Sequence, residues 1–488
     1  LLLKRPFLFV RNTRQKPIIR QAGLQNQLSG GHCMIYYDKK RNMLMESEYR
    51  YELQERETPH LYREMFPYEE IPKCTFNQRV NPIDPPDEIW LTDTTFRDGQ
   101  QSRAPYTPEQ VVTIFRLLAK LGGPQGKIRQ SEFFLYSERD KTSLMRCQEL
   151  NLPFPEVTGW IRAQKQDFEL AKSMGLKECG ILVSCSDYHI FNKLKKTRRQ
   201  AMDGYLGVIK DALSTGIRAR CHFEDITRAD FYGFVVPFAT EINSLSKESG
   251  IPIKIRVCDT LGYGVPYSGA SLPRSIPGII YGLRNYAGLE PEQLEWHGHN
   301  DFYKAVVNSA TAWLYGAASV NCSLFGIGER TGNTPLEAMV VEYAQLRGTL
   351  DGMDTTVIRE IADYYENELG HPIPPNTPFV GRDFNMTRAG IHADGILKDE
   401  EIYNIFNTEK LLKSPPGVSI SATSGAAGIA MWLSKNVFAG EKLEKRDARV
   451  TLLKEWVDEQ YAGGRVTTIS QEEMHEAARR LLLDPSAT

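Results

Sequence analysis

The rhythm of apolar and polar positions changes at Glu88. From Glu46 to Pro86, charged residues, Tyr and Pro crowd together with no sustained period, which predicts an arm lying over a larger body. From Glu88 onward, apolar strand-like runs recur about every thirty residues, each followed by apolar residues at helical spacing, the signature of successive βαβ units. The candidate strands are Glu88–Phe96, Lys127–Tyr136, Glu156–Ile161, Glu178–Ser186, Arg218–Asp225, Lys254–Thr260, Gln293–Asn300 and Ser319–Gly326. Thr107-Pro108-Glu109-Gln110 reads as a helix start, with a Thr cap, Pro at the first helical position and Gln three residues after the cap. Eight such units predict an α/β chain closed into a (β/α)8 barrel. A doubly wound open sheet is the alternative, but the Gly-rich fingerprint it needs after the first strand is absent.

Past Leu346 the pattern turns to helices and loops. A Pro-rich stretch from His371 reads as a linker, and an amphipathic segment, Ser470 to Leu483, closes the chain. The expected organisation is an N-terminal extension and arm over 1–86, the catalytic barrel over 87–346, a linker subdomain over 347–388 and a mostly helical C-terminal subdomain over 389–488. Leu1 to Tyr37 carries six Lys or Arg and no Asp or Glu. Such a start resembles a transit peptide, and it also fits an upstream extension with Met34, Met43 or Met45 as the true first residue; Leu1 to about His32 is expected to be loosely attached.

Active sites on a (β/α)8 barrel sit at the carboxyl ends of its strands. Titratable groups crowd those ends here: Arg97-Asp98, Glu132, Asp187 with His189, His222 with Glu224 and Asp225, Asp259-Thr260, His297 with His299, and Glu329-Arg330 with Asn333. The strand middles, Ile181-Leu182-Val183, Ile255, Val257 and Val320, are apolar. That asymmetry points to an enzyme.

Composition narrows the class. Of 488 residues, 41% are hydrophobic and 25% charged, as in an ordinary globular protein, and the net charge of -2 gives no bulk field for nucleic acid or an anionic membrane. No apolar run reaches the roughly 18 residues of a membrane-spanning helix. The eight cysteines form no CxxC pair, and several sit in apolar runs, so reduced thiols and a cytoplasmic location are expected.

His297 and His299 are two apart at a strand end, so both project to one side with Cα atoms about 7 Å apart. Two imidazoles so placed can share one metal ion, and Asp98 is the best-placed third ligand. Mixed imidazole and carboxylate donors suit Mn2+, and equally Co2+, Mg2+ or Zn2+. Such an ion polarises a carbonyl, and Arg97 beside it is a candidate to stabilise the oxyanion. Gly326-Ile-Gly328-Glu-Arg330-Thr-Gly-Asn333 gathers three glycines into one loop, a candidate nest for a phosphate or thioester oxygen without the Gly-Lys-Ser/Thr ending of a P-loop.

Six motifs in order, FRDGQQ, SDYHIFNKLKKTR, FEDITRAD, DTLGYGVP, HGHND and GIGERTGNTPLE, together resemble the 2-isopropylmalate synthase and homocitrate synthase family of metal-dependent barrels. The likeness covers about Asp87 to Leu346 and continues into RAGIHADGILKDEEIY and SATSGAAG. Within the family, DTTFRDGQQSRAPYTPEQ and SEFFLYSERD look most like its Re-citrate synthase branch.

The resemblance implies a divalent metal, Mn2+ first, on Asp98, His297 and His299, with Asn333 a further ligand. It gives Arg97, Glu224, His392 and Tyr403 catalytic roles. His189 and Thr260 match positions that hold the 2-oxo acid; Glu132 and His222, from their strand-end places, are further substrate candidates, and Gly326, Gly328 and Arg330 of the Gly-rich loop are candidates for the CoA. His392 matches a histidine delivered from the partner subunit, which implies a homodimer with exchanged C-terminal subdomains and a Glu224–His392 base. The implied reaction is a Claisen-type condensation of acetyl-CoA with a 2-oxo acid.

His222 replaces the family's usual small hydroxyl residue. A cationic or donor group there fits the second carboxylate of oxaloacetate, with a structural histidine as the alternative. SATSGAAG lacks an Arg often found after Ser-Gly, and the remaining residues are too few for a leucine-binding domain. Isopropylmalate, homocitrate or citramalate synthesis is the nearest rival. A biotin-dependent carboxyltransferase, which needs Lys where Cys258 stands, and a catalytically silent protein on this fold are further rivals.

Overall fold

Residues 35–38, 43–46 and 51–484 are described by the computed structural model of the chain. The expectations for Leu1 to His32, and Met34 as a start, lie outside them. Ile35–Asp38 and Met43–Glu46 pair with each other antiparallel.

Eight parallel strands close on themselves in chain order: β1 Trp90–Asp93, β2 Ile128–Phe134, β3 Glu156–Ile161, β4 Glu178–Ser184, β5 Arg218–Glu224, β6 Lys254–Asp259, β7 Leu294–Gly298 and β8 Ser319–Cys322. The ring is completed by Ser319 against Trp90, so the open-sheet alternative falls. Each strand is followed by a helix: α1 Pro108–Gly122, α2 Glu138–Glu149, α3 Lys165–Ser173, α4 Arg198–Thr215, α5 Val236–Ser249, α6 Ile276–Asn285, α7 Ala305–Tyr315 and α8 Leu336–Arg347. Thr107 caps α1 with a reciprocal capping box to Gln110. Glu156–Ile161 is found as expected, and the other seven strands end earlier than their apolar runs suggest.

Strand residues alternate between two very different environments. Ile181, Val183, Cys221, Phe223, Ile255, Val257 and Val320 belong to one continuous buried apolar cluster with the surrounding helices, and Phe223 stacks on Phe238 of α5 with ring centroids 5.1 Å apart. Apart from Leu182, which lines the mouth, the apolar strand middles are thus the helix-facing set. The lumen below the mouth is ionic. Arg220 of β5 donates across it to Glu132 of β2 at 2.5 Å and to Glu178 of β4 at 2.8 Å, while Arg256 of β6 donates to Glu132 at 2.8 Å and to Glu295 of β7 at 2.6 Å. All five side chains are buried. Burial pushes the Glu132 carboxyl up, but Arg256 and Arg220 outweigh it and hold it well below the carboxylate range.

The segment from Tyr51 to Pro86 is tied to the barrel by hydrogen bonds. Gln54 bonds Gly233, His60 N–H donates to Asp187 at 2.8 Å, and Tyr188 Oη donates to the Leu61 carbonyl at 2.7 Å. After α8, helix α9 (Val357–Asn367) adds Val357, Ile361 and Tyr365 to the barrel's cluster. A second apolar cluster, centred on Trp432, Ile429 and Leu453, unites α10 (Gly390–Lys398), α12 (Ala426–Asn436), α13 (Ala448–Ala462) and α14 (Gln471–Ala478); the short α11 spans Thr408–Leu412. Among the described residues, no helix is long and apolar enough to cross a membrane.

Removing one partner of a buried ion pair leaves an uncompensated charge and costs about 3–5 kcal/mol. Arg220→Met, which leaves Glu132 to Arg256 and Glu178 to Lys254 and Arg218, is expected to lower stability by up to that amount in urea unfolding. A midpoint equal to wild type would show that the lumen network contributes nothing.

Candidate active site

At the carboxyl ends of the strands, a cavity of about 240 Å³ opens between Arg97, Asp98, Trp160, His222, Glu224, Thr260, His297 and His299, with Arg330 at its rim. Most residues predicted from the strand tips therefore meet in one place. Glu329 lines it too, as do Gln101, Trp160, Leu182 and Cys258, which the sequence pattern does not single out as site residues. Trp160 is legible in principle, since its even parity with Glu156 and Thr158 on β3 turns all three inward.

Arg97 is gripped on several sides. It pairs with Asp98, its Nε stands 3.9 Å from Glu132, and its guanidinium lies over Trp160 at 4.8 Å and Phe134 at 5.9 Å. Burial lowers its pKa to about 10, so it remains a cation at neutral pH. Glu132 does not line the cavity, because both of its oxygens are taken by Arg220 and Arg256. It braces Arg97 from below instead of meeting a ligand.

His297 Nε2 stands 3.4 Å from Asp98 Oδ2 and 3.3 Å from His299 Nε2. Asn321 donates through Nδ2 to Thr92 Oγ1 at 2.9 Å, which turns its Oδ1 toward His297 Nδ1 at 2.8 Å. This network assigns the proton to Nδ1 and leaves the Nε2 lone pair facing Asp98 and His299. Burial, reinforced by His299, holds His297 well below its usual range, and burial with Arg330 lowers His299 to about 4. Both imidazoles are neutral.

Asn333 donates to Asp98 Oδ2 at 3.2 Å, and its Oδ1 is buried without a hydrogen-bond partner. Two neutral imidazoles, a carboxylate and an orphaned amide oxygen fit a divalent ion. Among the described residues no three His, Cys, Asp or Glu side chains already close around one point; the set is two adjoining contacts that share His297.

The Gly-rich loop serves Asn333. Gly326, with φ of 65°, accepts the Asn333 amide at 2.9 Å. A Cβ on Gly328 would collide with Asn333 Oδ1. Arg330 donates to Asp301 at 2.8 Å and to the Thr260 carbonyl at 2.7 Å.

Glu224 is a heavily engaged carboxylate at the mouth. It meets His189 Nδ1 at 2.9 Å, Lys193 Nζ at 3.5 Å and the Ser184 hydroxyl. Burial raises its pKa, but these partners prevail and lower it to about 2. His189 stands behind Glu224 and not on the cavity wall. Thr260 Oγ1 accepts the Asp225 amide at 2.8 Å, leaving its hydroxyl proton for a ligand.

His222 is buried, and burial with the nearby Arg256 lowers its pKa to about 3. The cationic form of the expected contact fails, while the donor form and the structural alternative both stand, since the buried Nε2 makes no hydrogen bond and lies 3.5 Å from Glu132. Gly180 makes the room, because a Cβ there would stand 2.5 Å from Nε2. His392 and Tyr403 are not brought to this cavity. Their rings lie 4.6 Å apart beside a separate cleft with Asn385, Arg388 and Ile396.

Residues 88–364 match the HMGL-like family. A Citrate (Re)-synthase of Clostridium kluyveri is 57% identical over 428 residues, covering 87% of this chain and 94% of that protein. A Citrate (Re)-synthase of Syntrophus aciditrophicus is 53% identical over 436 residues, 89% of this chain and 69% of the relative. A 2-phosphinomethylmalate synthase of Streptomyces hygroscopicus is 37% identical over 436 residues, 88% and 98% of the two chains.

Because the Glu224 pKa falls on folding, from 4.5 to about 2, its contribution to stability is complete above the unfolded value and fades as pH drops toward the folded one. The gap in melting temperature between wild type and Glu224→Gln is expected to be widest above about pH 5 and to narrow steadily below about pH 4. A gap that ignores pH would show that the charge of Glu224 is not what its neighbours hold.

Proposed function

The chain belongs to the HMGL-like family, and we propose that it condenses acetyl-CoA with oxaloacetate to give citrate and free CoA. The observation that carries this reading is the 57% identity with a Citrate (Re)-synthase over nearly the whole of both chains. The donor-lined, cation-flanked mouth supports it independently.

Enzymes of the family depend on a divalent metal. Asp98, His297, His299 and Asn333 would hold it here, with Mn2+ preferred and Co2+, Mg2+ or Zn2+ as alternatives for such mixed donors. When bound, the ion supplies Lewis-acid polarisation of the keto group.

The chain's own residues do the rest. Thr260 offers its free hydroxyl proton to the 2-oxo acid, and the neutral His222, which lines the cavity, is the candidate N–H donor to the second carboxylate. Deprotonation of the acetyl methyl gives an enolate, whose carbon bonds to the keto carbon. Arg97, rigid between Glu132 and Trp160, stabilises the alkoxide that forms. Water then cleaves the thioester, giving the carboxylic acid and CoA thiol.

Glu224 is ionised and engaged at neutral pH, so we assign it orientation and charge stabilisation. The proton acceptor in this reading is His392 of the partner subunit, with Tyr403 beside it. Ile391, Ile402 and Ile405 are exposed around that pair, which supports docking of this face on another chain. The proposed assembly is therefore a homodimer in which the barrel of 87–346 holds substrates, and the helical subdomain from 389 onward reaches across from the linker of 347–388. All seven described cysteines are free, which supports a reducing, cytoplasmic setting.

Purified protein with acetyl-CoA, oxaloacetate and Mn2+ is expected to release CoA, detected with a thiol reagent, and to stop when EDTA is added. Arg97→Met is expected to lower kcat/KM by about 10²–10³-fold, the usual loss of an oxyanion donor. Release with 2-oxoisovalerate in place of oxaloacetate would retain the condensation and overturn the substrate.

A further inference from the structure

The two cations that line the mouth, Arg97 and Arg330, are already paired with Asp98 and Asp301, which leaves neither free for the phosphates of acetyl-CoA. Gly326 and Gly328, the expected CoA contacts, are packed against Asn333, and Arg330 is committed to Asp301 and Thr260.

A different loop carries uncompensated positive charge. In a chain of net charge -2, Lys193, Lys195, Lys196, Arg198 and Arg199 fall within seven residues, and no Asp or Glu occurs from Tyr188 to Met202. The fold sorts these cations. Arg198 is buried and neutralised by Asp187 at 2.8 Å and Asp230 at 2.9 Å. Arg199 lies 3.7 Å from Asp203, and its amide donates to Glu55. Lys193 reaches Glu224. Lys195 and Lys196 are exposed, and neither forms an ion pair among the described residues.

The turn that presents them is fixed. Leu194 N–H donates to the His189 carbonyl at 2.8 Å, Lys196 N–H to Ile190 at 3.1 Å, and Lys195 sits in the left-handed region with φ of 54°. Lys193, two residues before, ends at a carboxylate that lines the cavity. The turn that carries Lys195 and Lys196 therefore begins two residues after a side chain that reaches the cavity wall, with the Lys196 ammonium lying beside Gly204 of α4.

We propose that Lys195 and Lys196 form the phosphate-binding element of the CoA site, holding the phosphorylated nucleotide end while the thioester enters the cavity. The inference rests on the acetyl-CoA reading above. Lysine suits the task as a compact charge with three donors, and a local positive field on a weakly charged protein draws in a polyanion.

The test is calorimetric titration of full-length protein with CoA alone, alongside steady-state kinetics. Lys195→Ala/Lys196→Ala is expected to weaken CoA binding by about tenfold or more, as loss of charge-assisted hydrogen bonds predicts. KM for acetyl-CoA should rise by the same factor, with kcat and the KM for oxaloacetate unchanged, and added salt should weaken wild type more than the variant. Wild-type protein that binds no CoA overturns the acetyl-CoA reading and this inference with it. Wild-type CoA binding that the double variant retains, with the same salt dependence, overturns this inference alone.

Discussion

Glu132 is the pivot on which the mouth of the barrel rests. One carboxylate, buried on β2, takes Arg220 on one oxygen and Arg256 on the other, with Arg97 3.9 Å away and His222 Nε2 3.5 Å away. A lone buried carboxylate would take up a proton to escape its desolvation cost, but two guanidinium groups in hydrogen-bond contact make the ionised form the stable one. Glu178 and Glu295 carry the same alternation around the lumen. The barrel interior is thus an ionic lattice, where apolar layers are the usual filling.

That lattice determines what the mouth can do. Burial, with the positive potential of Arg256 added to it, keeps both His222 and His297 neutral. A neutral His297, its proton fixed on Nδ1 by Asn321, presents a lone pair where donors converge; a neutral His222 presents an N–H. Arg97 is held between the lattice and the Trp160 ring, so it meets a developing negative charge without first reorienting. Electrostatics beneath the site and hydrogen bonding within it are one connected arrangement.

The barrel is legible in the sequence because helix and strand periods alternate cleanly from Glu88, and the mouth is legible because polar groups collect at strand ends. Arg97, Asp98, His222, Glu224, Thr260, His297 and His299 all stand out on that ground, and all line the cavity. The lumen stays hidden for a definite reason. Ile181, Val183, Ile255 and Val257 catch the eye, yet on a parallel strand they record only the helix-facing parity, while Arg220 and Arg256 carry the other. Glu132 consequently reads as a substrate contact, although its oxygens belong to the lattice. Trp160 escapes because an indole in a strand reads as core until its parity is compared with its neighbours.

The remaining gap between sequence and site is the proton acceptor. Glu224 has the position of a base, but His189, Ser184 and Lys193 all stabilise its ionised form, and a carboxylate with a pKa near 2 has little affinity for a proton taken from carbon. Its engagement turns it into a fixed negative charge. Such a charge is most useful beside an imidazole, where it stabilises the imidazolium that proton transfer creates, as a buried carboxylate does in other acid–base pairs. His392 is the histidine offered for that place, and within one chain it faces a different cleft. In the proposed reaction the barrel would hold the substrates and the helical subdomain the acceptor, so that reaction would require two chains to associate, which would also cover the exposed isoleucines.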